Sequence, residues 1–224
     1  TGGGVVNSGP GASTLLREFV RQTGAPITST LMGLGAFPST DESFLGMVGM
    51  HGNYEANLAM SECDVMICVG ARFDDRVTGR LDAFAQKSKK IHIDIDPSSI
   101  NKNVPVDIPI VGDVGHVLED MLKVWKSTAR KLDKKANASW WATIAKWRER
   151  DCLKYLPGKD IAKPQYVLET LQKAVDGKDA YVTTDVGQHQ MRAAQYLKFK
   201  DPNRWLTSGG LGTMGYGLPA DIGA

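Results

Sequence analysis

The feature that most constrains this chain is the apolar run over residues 64–70, Asp-Val-Met-Ile-Cys-Val-Gly. It is continuously apolar and ends in glycine, as expected for a parallel strand that is covered on both faces. Two further strand-like runs, 91–95 and 108–111, follow along the chain. Strands that alternate with helices predict an α/β fold with a doubly wound parallel sheet and right-handed crossovers.

Helical patterns separate these strands. Pro10 suits the first turn of a helix, and Gly24 is a typical helix stop. Val5 and Val6 are predicted to be the end of a strand whose beginning lies outside the chain. The other predicted elements of this region are a helix over 9–24, a strand over 26–30, a helix over 54–62 and a helix from Val114 to about Lys131.

A second α/β segment is predicted to begin at about residue 161. Its predicted elements are a helix over 164–174, a strand over 181–185, a helix over 187–197, a short strand over 204–207 and a glycine-rich loop over 209–217. A domain of this type normally needs several more strands, so we expect the second domain to be incomplete. The predicted organisation is a central domain over 1–131 with a truncated first strand, a helical linker over 132–160 and the opening part of another domain over 161–224.

The predicted linker is charged and holds Trp140, Trp141 and Trp147. We interpret these tryptophans as part of a helix that packs across a domain boundary, and we disfavour an aromatic cofactor site.

Composition argues against two classes of function. The net charge is only +2, and the basic run over 87–90 is too short to indicate a nucleic-acid site. No apolar run approaches the roughly 20 residues that a membrane-spanning helix needs. Cys63, Cys68 and Cys152 show no disulfide or zinc spacing, which indicates a reducing compartment, and Cys68 is predicted to be buried and inert.

Four predicted strand ends carry glycine or acidic residues. They are Gly2-Gly3-Gly4, Gly70, Asp94-Ile95-Asp96 and Gly112-Asp113. Ligands of open α/β sheets bind at the carboxyl ends of the strands, and glycines leave backbone N–H groups open to a phosphate. The pattern favours a nucleotide-like ligand over an empty scaffold. The standard NAD fingerprint is not met, because residues 9–14, Gly-Pro-Gly-Ala-Ser-Thr, lack its third glycine.

Residues 70–79, Gly-Ala-Arg-Phe-Asp-Asp-Arg-Val-Thr-Gly, directly follow the most apolar strand. Guanidinium groups at such a position bind phosphate or carboxylate, or they form a surface salt-bridge cluster, and the residues alone leave both interpretations open. His51, between Gly49-Met50 and Gly52, is typical of a structural turn. The polar helix start at 187–190 fits either a helix cap or a diphosphate contact.

At these residues the chain resembles the acetolactate synthase (acetohydroxyacid synthase) catalytic subunit family. The resemblance is carried by Gly-Met-His-Gly at 49–52, by the string at 70–79, by Asp-Val-Gly-Gln-His-Gln-Met at 185–191 and by Ser-Gly-Gly-Leu-Gly-Thr-Met-Gly-Tyr-Gly-Leu-Pro-Ala at 208–220. The order and spacing agree over nearly the whole chain. The resemblance implies three α/β domains, of which the chain would hold the central one and the opening of the third, thiamine-diphosphate-binding one.

The resemblance further implies an FAD site in which the flavin does no net redox work. Its residues would be Gly2, Gly3, Gly4, Thr30, Leu31, Met32, Gly49, Met50, His51, Gly52, Gly70, Ala71, Arg72, Asp74, Arg76, Val77, Asp94, Ile95, Asp113, Val114, Gln190, Met191, Gly209 and Gly212. Arg72 is then expected on the same rim of the sheet as the triple glycine.

Thiamine diphosphate is the second implied cofactor. Its site would include Val186, Gly187, Gln188, His189, Gly212 and Met214. Met50, Asp75 and Arg76 would sit near the substrate channel. No complete catalytic set is expected in this chain, because the family's catalytic Glu belongs to the first domain and the Mg²⁺ motif should lie beyond Ala224.

The implied activity is decarboxylation of pyruvate and transfer of the hydroxyethyl unit to pyruvate or 2-ketobutyrate, in valine, leucine and isoleucine synthesis. The implied assembly is a homodimer or homotetramer with a small regulatory subunit, in the bacterial cytoplasm, without nucleic acid or membrane. The alternatives are another thiamine-diphosphate enzyme, such as a glyoxylate carboligase or pyruvate oxidase, and a non-catalytic nucleotide-binding fragment. We expect the 224-residue chain alone to be inactive.

Overall fold

The computed structural model describes residues 1–128, 132–158 and 160–224. The strands are β1 (Ile27–Ser29), β2 (Phe44–Met47), β3 (Val65–Val69), β4 (Lys89–Asp94), β5 (Ile108–Val111), β6 (Val182–Thr184) and β7 (Trp205–Thr207). The α-helices are α1 (Gly3–Asn7), α2 (Pro10–Thr23), α3 (Tyr54–Glu62), α4 (Asp75–Thr78), α5 (Val114–Ser127), α6 (Lys134–Arg148), α7 (Pro164–Val175), α8 (Gln188–Tyr196) and α9 (Gly217–Gly223). Short 3₁₀ turns occur at Leu31–Gly33, Leu81–Ala83 and Pro97–Ser99.

All paired strands of the first unit run parallel. β3 pairs with β4 and β4 with β5, while β1 pairs with β2. The extended residues Thr1 and Gly2 lie between these two groups: the amino group of Thr1 donates to the Thr28 carbonyl at 2.7 Å, and the Gly2 N–H donates to the Val69 carbonyl at 2.9 Å. The strand order is therefore β2-β1-(Thr1–Gly2)-β3-β4-β5.

Helices cover both faces of this sheet. On one face α2 and α5 bury a core around Leu16, Ile93 and Leu118, and on the other α3 and α6 pack over Leu45 and Ile144. Full burial of one such aliphatic side chain contributes about 1.5–3 kcal/mol. The prediction of a doubly wound parallel α/β sheet is confirmed.

Local sequence sets where these helices begin and end. Pro10 occupies the first turn of α2, and Gly24, in the left-handed region with φ of 65°, ends it. Asp113 caps α5 by accepting the N–H groups of Gly115 and His116, and Asp133 caps α6 in the same way.

A second unit follows α6. Its strands β6 and β7 pair in parallel, with α7, α8 and α9 around them. Ala194, Leu197 and Trp205 of this unit share one apolar cluster with Leu34 and Met47 of the first. Hydrogen bonds to backbone carbonyls join the units as well, since the Ser39 N–H donates to the Phe199 carbonyl and the Arg17 side chain donates from Nη2 to the Lys200 carbonyl at 2.7 Å. The two units therefore hold each other at a common interface.

The tryptophan-rich helix α6 packs on the first unit. Trp140 and Trp147 contact each other edge to face at 5.4 Å, Ile144 is fully buried, and the Trp141 indole N–H donates to the Gly24 carbonyl at 2.9 Å. A packing role of these tryptophans is confirmed. Burial likewise raises the pKa of the Cys68 thiol to about 12, so the prediction of an inert cysteine holds.

Several predicted elements need correction. Val5 and Val6 lie in helix α1, because the extended backbone ends at Gly2 and the chain turns at once into a helix. β2 was not predicted. α5 ends at Ser127, and its predicted end at Lys131 lies outside the described residues.

Two of the predicted strands are less buried than expected. Val65, at the start of β3, is 48% exposed, and Ile108 and Val111 are exposed because β5 forms the edge of the sheet. The glycine-rich loop ends earlier than predicted, since α9 begins at Gly217.

Candidate functional site

The chain reverses direction across the sheet at Thr1–Gly2. From there it proceeds through α1 and α2 to β1 on one side, and after β2 and α3 it crosses to β3 on the other. A crevice forms where two neighbouring strand connections leave in opposite directions, and ligands of open α/β folds bind in that crevice. A connected space of about 1860 Å³ opens here between the two units and extends under α2 and α6. Its volume exceeds the roughly 300–1,000 Å³ of pockets for drug-sized ligands.

Three glycines bring the backbones together at the floor of this cleft. A Cβ atom on Gly4 would lie 2.7 Å from the Gly70 Cα, and one on Gly70 would lie 2.8 Å from the Gly4 Cα. A Cβ atom on Gly2 would overlap the Gly70 carbonyl. The N–H groups of Gly2 and Gly4 donate to the carbonyls of Val69 and Gly70 at 2.9 Å each, so they are not free for a phosphate. Close backbone approach, and not phosphate binding by those two N–H groups, explains the glycines.

Residues 70–79, which we call the arginine loop, leave β3 at this floor. Arg72 Nη2 pairs with Asp74 Oδ2 at 2.7 Å, and both side chains are about half exposed. Arg76 is exposed and forms no ion pair with any residue that the structure describes. Arg72 lies on the same rim as the triple glycine, as expected, because Gly70 contacts Gly4 directly.

A buried layer supports the arginine loop from below. Phe73 has a left-handed backbone, with φ of 53°, and its ring is buried against Phe84 and His92 at centroid distances of 5.8 and 5.0 Å. His92 Nε2 lies 2.7 Å from the Ala71 carbonyl oxygen, and Asn103 Nδ2 donates to the Phe73 carbonyl at 3.0 Å. Sequence reasoning did not identify this layer, because His92 and Asn103 lie 21 and 30 residues from the loop carbonyls that they contact.

The turn over residues 49–52 packs against the far end of the arginine loop. The Met50 N–H donates to the Arg76 carbonyl at 2.8 Å, and Gly49, with φ of 101°, leaves no room for a Cβ beside that carbonyl. The Asn57 side chain accepts the Gly49 N–H and donates to the Gly49 carbonyl. The His51 carbonyl accepts from Gln195 in the second unit at 2.8 Å. These bonds hold residues 49–52 in a tight turn between the arginine loop and the second unit.

Exposed apolar side chains rim the cleft. Met50 is 65% exposed, Ile95 is 68% exposed, and Met32 is 42% exposed. Beside Ile95, the Asp94 carboxylate accepts the Asp96 N–H at 2.9 Å. Apolar surface beside exposed guanidinium groups suits a ligand that has both a flat ring system and an anionic part.

The second unit contributes the loop after β7, residues 208–216, which we call the glycine loop. Gln190 is buried and donates to Thr207 Oγ1 at 2.7 Å and to the Ser208 carbonyl at 3.3 Å, which ties α8 to the loop. Asp185, after β6, accepts the N–H groups of Val186 and Gly215. Those N–H donors hold the pKa of the Asp185 carboxyl below its usual value.

Most predicted cofactor residues line the connected space between the two units, which also reaches Asp64 and Val65 at the amino end of β3. The lining residues are Gly3, Gly4, Thr30, Leu31, Met32, Met50, His51, Gly70, Ala71, Arg72, Asp74, Asp75, Arg76, Val77, Asp94, Ile95, Val186, Gly187, Gln188, Gln190, Met191, Gly209 and Gly212. The predicted residues outside its lining are Gly2, Gly49, Gly52, Asp113, Val114, His189 and Met214.

Asp113 has a different task from the predicted one. Its carboxylate caps α5 and accepts the Ser8 hydroxyl at 2.8 and 2.9 Å, and this bond lowers the pKa of the carboxyl. Val114, the first residue of α5, is buried in the core.

The described parts of the chain contain no group of three His, Cys, Asp or Glu side chains that could hold a metal ion. The Mg²⁺ site therefore stays a prediction. Among the same residues, no helix is long and apolar enough to cross a membrane.

Comparison with protein families decides the affiliation. Residues 1–121 match the thiamine pyrophosphate enzyme central domain, and residues 185–224 match the thiamine pyrophosphate enzyme C-terminal TPP binding domain. The chain belongs to the thiamine pyrophosphate enzyme family. The cleft of this thiamine pyrophosphate enzyme lies between the two matched regions and is lined by both.

The relatives that match over nearly the whole chain are named acetolactate synthases. The chain is 50% identical to acetolactate synthase isozyme 3 large subunit of Escherichia coli (strain K12), over 99% of the chain and 38% of that protein. It is 48% identical to the acetolactate synthase large subunit of Haemophilus influenzae, over 99% of the chain and 38% of that protein. It is 46% identical to chloroplastic acetolactate synthase 1 of Nicotiana tabacum, over 93% of the chain and 31% of that protein. The resemblance to acetolactate synthases is confirmed. The chain spans less than two fifths of the length of these relatives.

Proposed function

We propose that this chain is part of an acetolactate synthase large subunit. The enzyme would decarboxylate pyruvate and transfer the two-carbon unit to pyruvate or to 2-ketobutyrate, for branched-chain amino-acid synthesis. The observation that carries the proposal is that the arginine loop and the glycine loop, from two regions of the chain, line one cleft at the switch point. Identity of about 50% to large subunits of this name supports it.

The residues of the cleft fit FAD. Arg72 and Arg76 are exposed cations beside a close glycine contact, and a guanidinium group binds a diphosphate through paired N–H donors. Met32, Met50 and Ile95 offer apolar surface for a flat ring system. FAD would lie with its diphosphate against the arginine loop, and its role would be structural.

Thiamine diphosphate would bind on the second-unit side of the same cleft. The thiazolium of this cofactor supplies the carbanion chemistry of decarboxylation and carbon–carbon bond formation. Val186, Gly187 and Gln188 follow the end of β6 and would contact the diphosphate. The buried side chain of Gln190 would hold the glycine loop in place through Thr207 and Ser208. The loop itself would exclude water from the reacting carbon.

Met50, Asp75 and Arg76 would border the substrate channel. Arg76 carries a permanent charge and has no ion-pair partner among the residues that the structure describes, so it is available to a substrate carboxylate. The hydrogen bond from the Met50 N–H to the Arg76 carbonyl would hold that channel wall together. We further propose a homo-oligomeric large subunit with a small regulatory subunit and Mg²⁺ on the diphosphate.

The test is a substrate panel on the enzyme that carries this sequence, with thiamine diphosphate, Mg²⁺ and FAD. We expect 2-acetolactate from pyruvate, and 2-aceto-2-hydroxybutyrate when 2-ketobutyrate is added. Arg76→Ala should raise KM for pyruvate, whereas Arg80→Ala, which removes an exposed arginine paired with Asp82, should not. Turnover of glyoxylate with none of pyruvate would assign the enzyme to the glyoxylate carboligases and contradict the proposal.

A further inference from the structure

His92 is a fully buried histidine in the middle of β4, directly beneath the arginine loop. Its Nε2 atom lies 2.7 Å from the Ala71 carbonyl oxygen. Its Nδ1 atom is buried and has no hydrogen-bond partner among the described residues. A buried imidazole with one bonded and one unbonded nitrogen needs an explanation, because buried polar atoms are normally paired.

These contacts select one protonation state. A carbonyl oxygen only accepts hydrogen bonds, so Nε2 must carry the proton that it donates to Ala71. A proton on Nδ1 would be an unpaired buried donor, so that nitrogen is best left without one. The nearest carboxylate oxygen, Asp94 Oδ2, is 3.9 Å from Nε2, too far for a hydrogen bond. The geometry therefore places a proton on Nε2, the nitrogen that faces the Ala71 carbonyl.

The carbonyl that His92 holds belongs to the residue before Arg72. The next residue, Phe73, adopts a left-handed backbone, which a bulky side chain rarely adopts without support from its surroundings. The Phe73 ring packs edge-on against the imidazole at 5.0 Å. His92 thus contacts the loop on both sides of Arg72, once through the Ala71 carbonyl and once through the Phe73 ring.

We propose that His92 is a positioning residue for FAD binding. By donating from Nε2 to the Ala71 carbonyl and packing against the Phe73 ring, it holds the guanidinium of Arg72 toward the cofactor diphosphate. The inference rests on the proposed function, since the ligand is the FAD of that proposal. Cys68 Sγ also approaches the Ala71 carbonyl, at 3.1 Å, but a thiol is a weak donor and leaves the main restraint to His92.

The variants His92→Gln and His92→Leu separate the hydrogen bond from mere burial. The Gln amide offers an N–H donor in place of Nε2, and Leu fills the space without one. FAD affinity is measured by titration of flavin fluorescence. We expect His92→Leu to weaken FAD binding about tenfold, as loss of a positioned cation contact would, and His92→Gln to stay within about threefold of the parent. His116→Leu, a change at an exposed histidine, is the control and should leave affinity unchanged.

Equal FAD affinity in the parent and in a folded His92→Leu variant would overturn the inference, as would equal losses in the Leu and Gln variants. A parent protein that binds no FAD would refute the flavin proposal itself. Amide hydrogen exchange then tests the restraint without cofactor. The Val77 and Thr78 N–H groups, bonded to the Asp74 carbonyl, should exchange faster in His92→Leu than in His92→Gln.

Nitrogen NMR of the parent protein covers the case in which His92→Leu does not fold. A protonated Nε2 with an unprotonated Nδ1 at neutral pH is the expected result. An Nε2 atom without a proton could not donate to the Ala71 carbonyl, and that result would overturn the proposal.

Discussion

The two loops that face each other across the cleft are built in different ways. The arginine loop rests on a buried layer: Phe73 and Thr78 are buried, and three side chains reach the loop's carbonyls from below. In the glycine loop Leu211 is 95% exposed and Met214 is 78% exposed, and the loop is tied down at its ends by Gln190 and Asp185. The difference indicates that the side of the cleft proposed for FAD is set by the fold, whereas the loop on the side proposed for thiamine diphosphate is held mainly at its ends.

The largest expected effect breaks the floor beneath the arginine loop. Gly4→Ala would place a Cβ atom 2.7 Å from the Gly70 Cα, and backbone on both sides leaves little room to adjust. We expect a loss of about 1–3 kcal/mol in the free energy of unfolding. Denaturant unfolding measures it. Gly210→Ala, in the glycine loop with no atom within 4 Å, is the control and should change stability by less than about 0.5 kcal/mol.

A second change tests the charge of the arginine loop. Arg72→Ala should weaken FAD binding about tenfold or more, because a charge-assisted contact worth about 1.5–3 kcal/mol is lost. Arg80→Ala is a matched control, since Arg80 pairs with Asp82 at 2.7 Å as Arg72 pairs with Asp74. Stability should fall by less than about 1 kcal/mol in either variant, because both pairs are exposed. Equal FAD affinities of the two variants would remove Arg72 from the site.

Two glycines outside the cleft floor separate the effect of close packing from the effect of backbone conformation. Gly11 lies in α2 with open space around it, so Gly11→Ala should raise the free energy of unfolding by about 0.4–1 kcal/mol. Gly177 also has open space but has φ of 76°, so Gly177→Ala should lower it by about 1 kcal/mol. Thermal denaturation of both variants checks the pair. A stabilising Gly177→Ala would show that backbone conformation is not what requires glycine there.

The smallest expected effect is that of low pH on the hydrogen bonds between Asp185 and the glycine loop. The N–H donors of Val186 and Gly215 lower the pKa of the Asp185 carboxyl in the folded chain. The stabilisation of the folded state by this carboxylate is therefore fully present above the unfolded pKa of about 3.9. That contribution is lost as pH falls through the lower, folded pKa. NMR titration should give the Asp185 carboxyl a pKa below the usual aspartate value of about 3.9. An equal or higher value would contradict the bonds to the loop.

Much of the sheet could be predicted from sequence, and the failures have physical causes. The helix over 54–62 and the strand over 108–111 match the structure to the residue. Ala56 and Ala59, three residues apart, are buried on one face of α3, whereas Ile108 and Val111 are exposed because β5 lies at the sheet edge. Val5 and Val6 are β-branched and favour a strand locally, but the close contact of Gly4 with Gly70 turns the chain into a helix there. β2 could not be predicted, because its four residues include Gly46 and show no alternation of apolar and polar residues.

The candidate site divides in the same way. Its strand-end residues could be predicted, because glycines and charged residues that directly follow an apolar run can be recognised in the sequence. His92 could not, since its partner Ala71 is 21 residues away and no motif joins them. The bond between Asp113 and Ser8 could not be predicted either, because the two residues are 105 positions apart in the sequence.

The most direct test of the central claim is hydrogen exchange of the parent protein with and without FAD. The account predicts slower exchange at residues 70–77 and 94–95 on adding FAD, and no change at residues 146–148 at the end of helix α6. Protection confined to other surfaces, or none at saturating FAD, would show that the arginine loop is not the cofactor cradle.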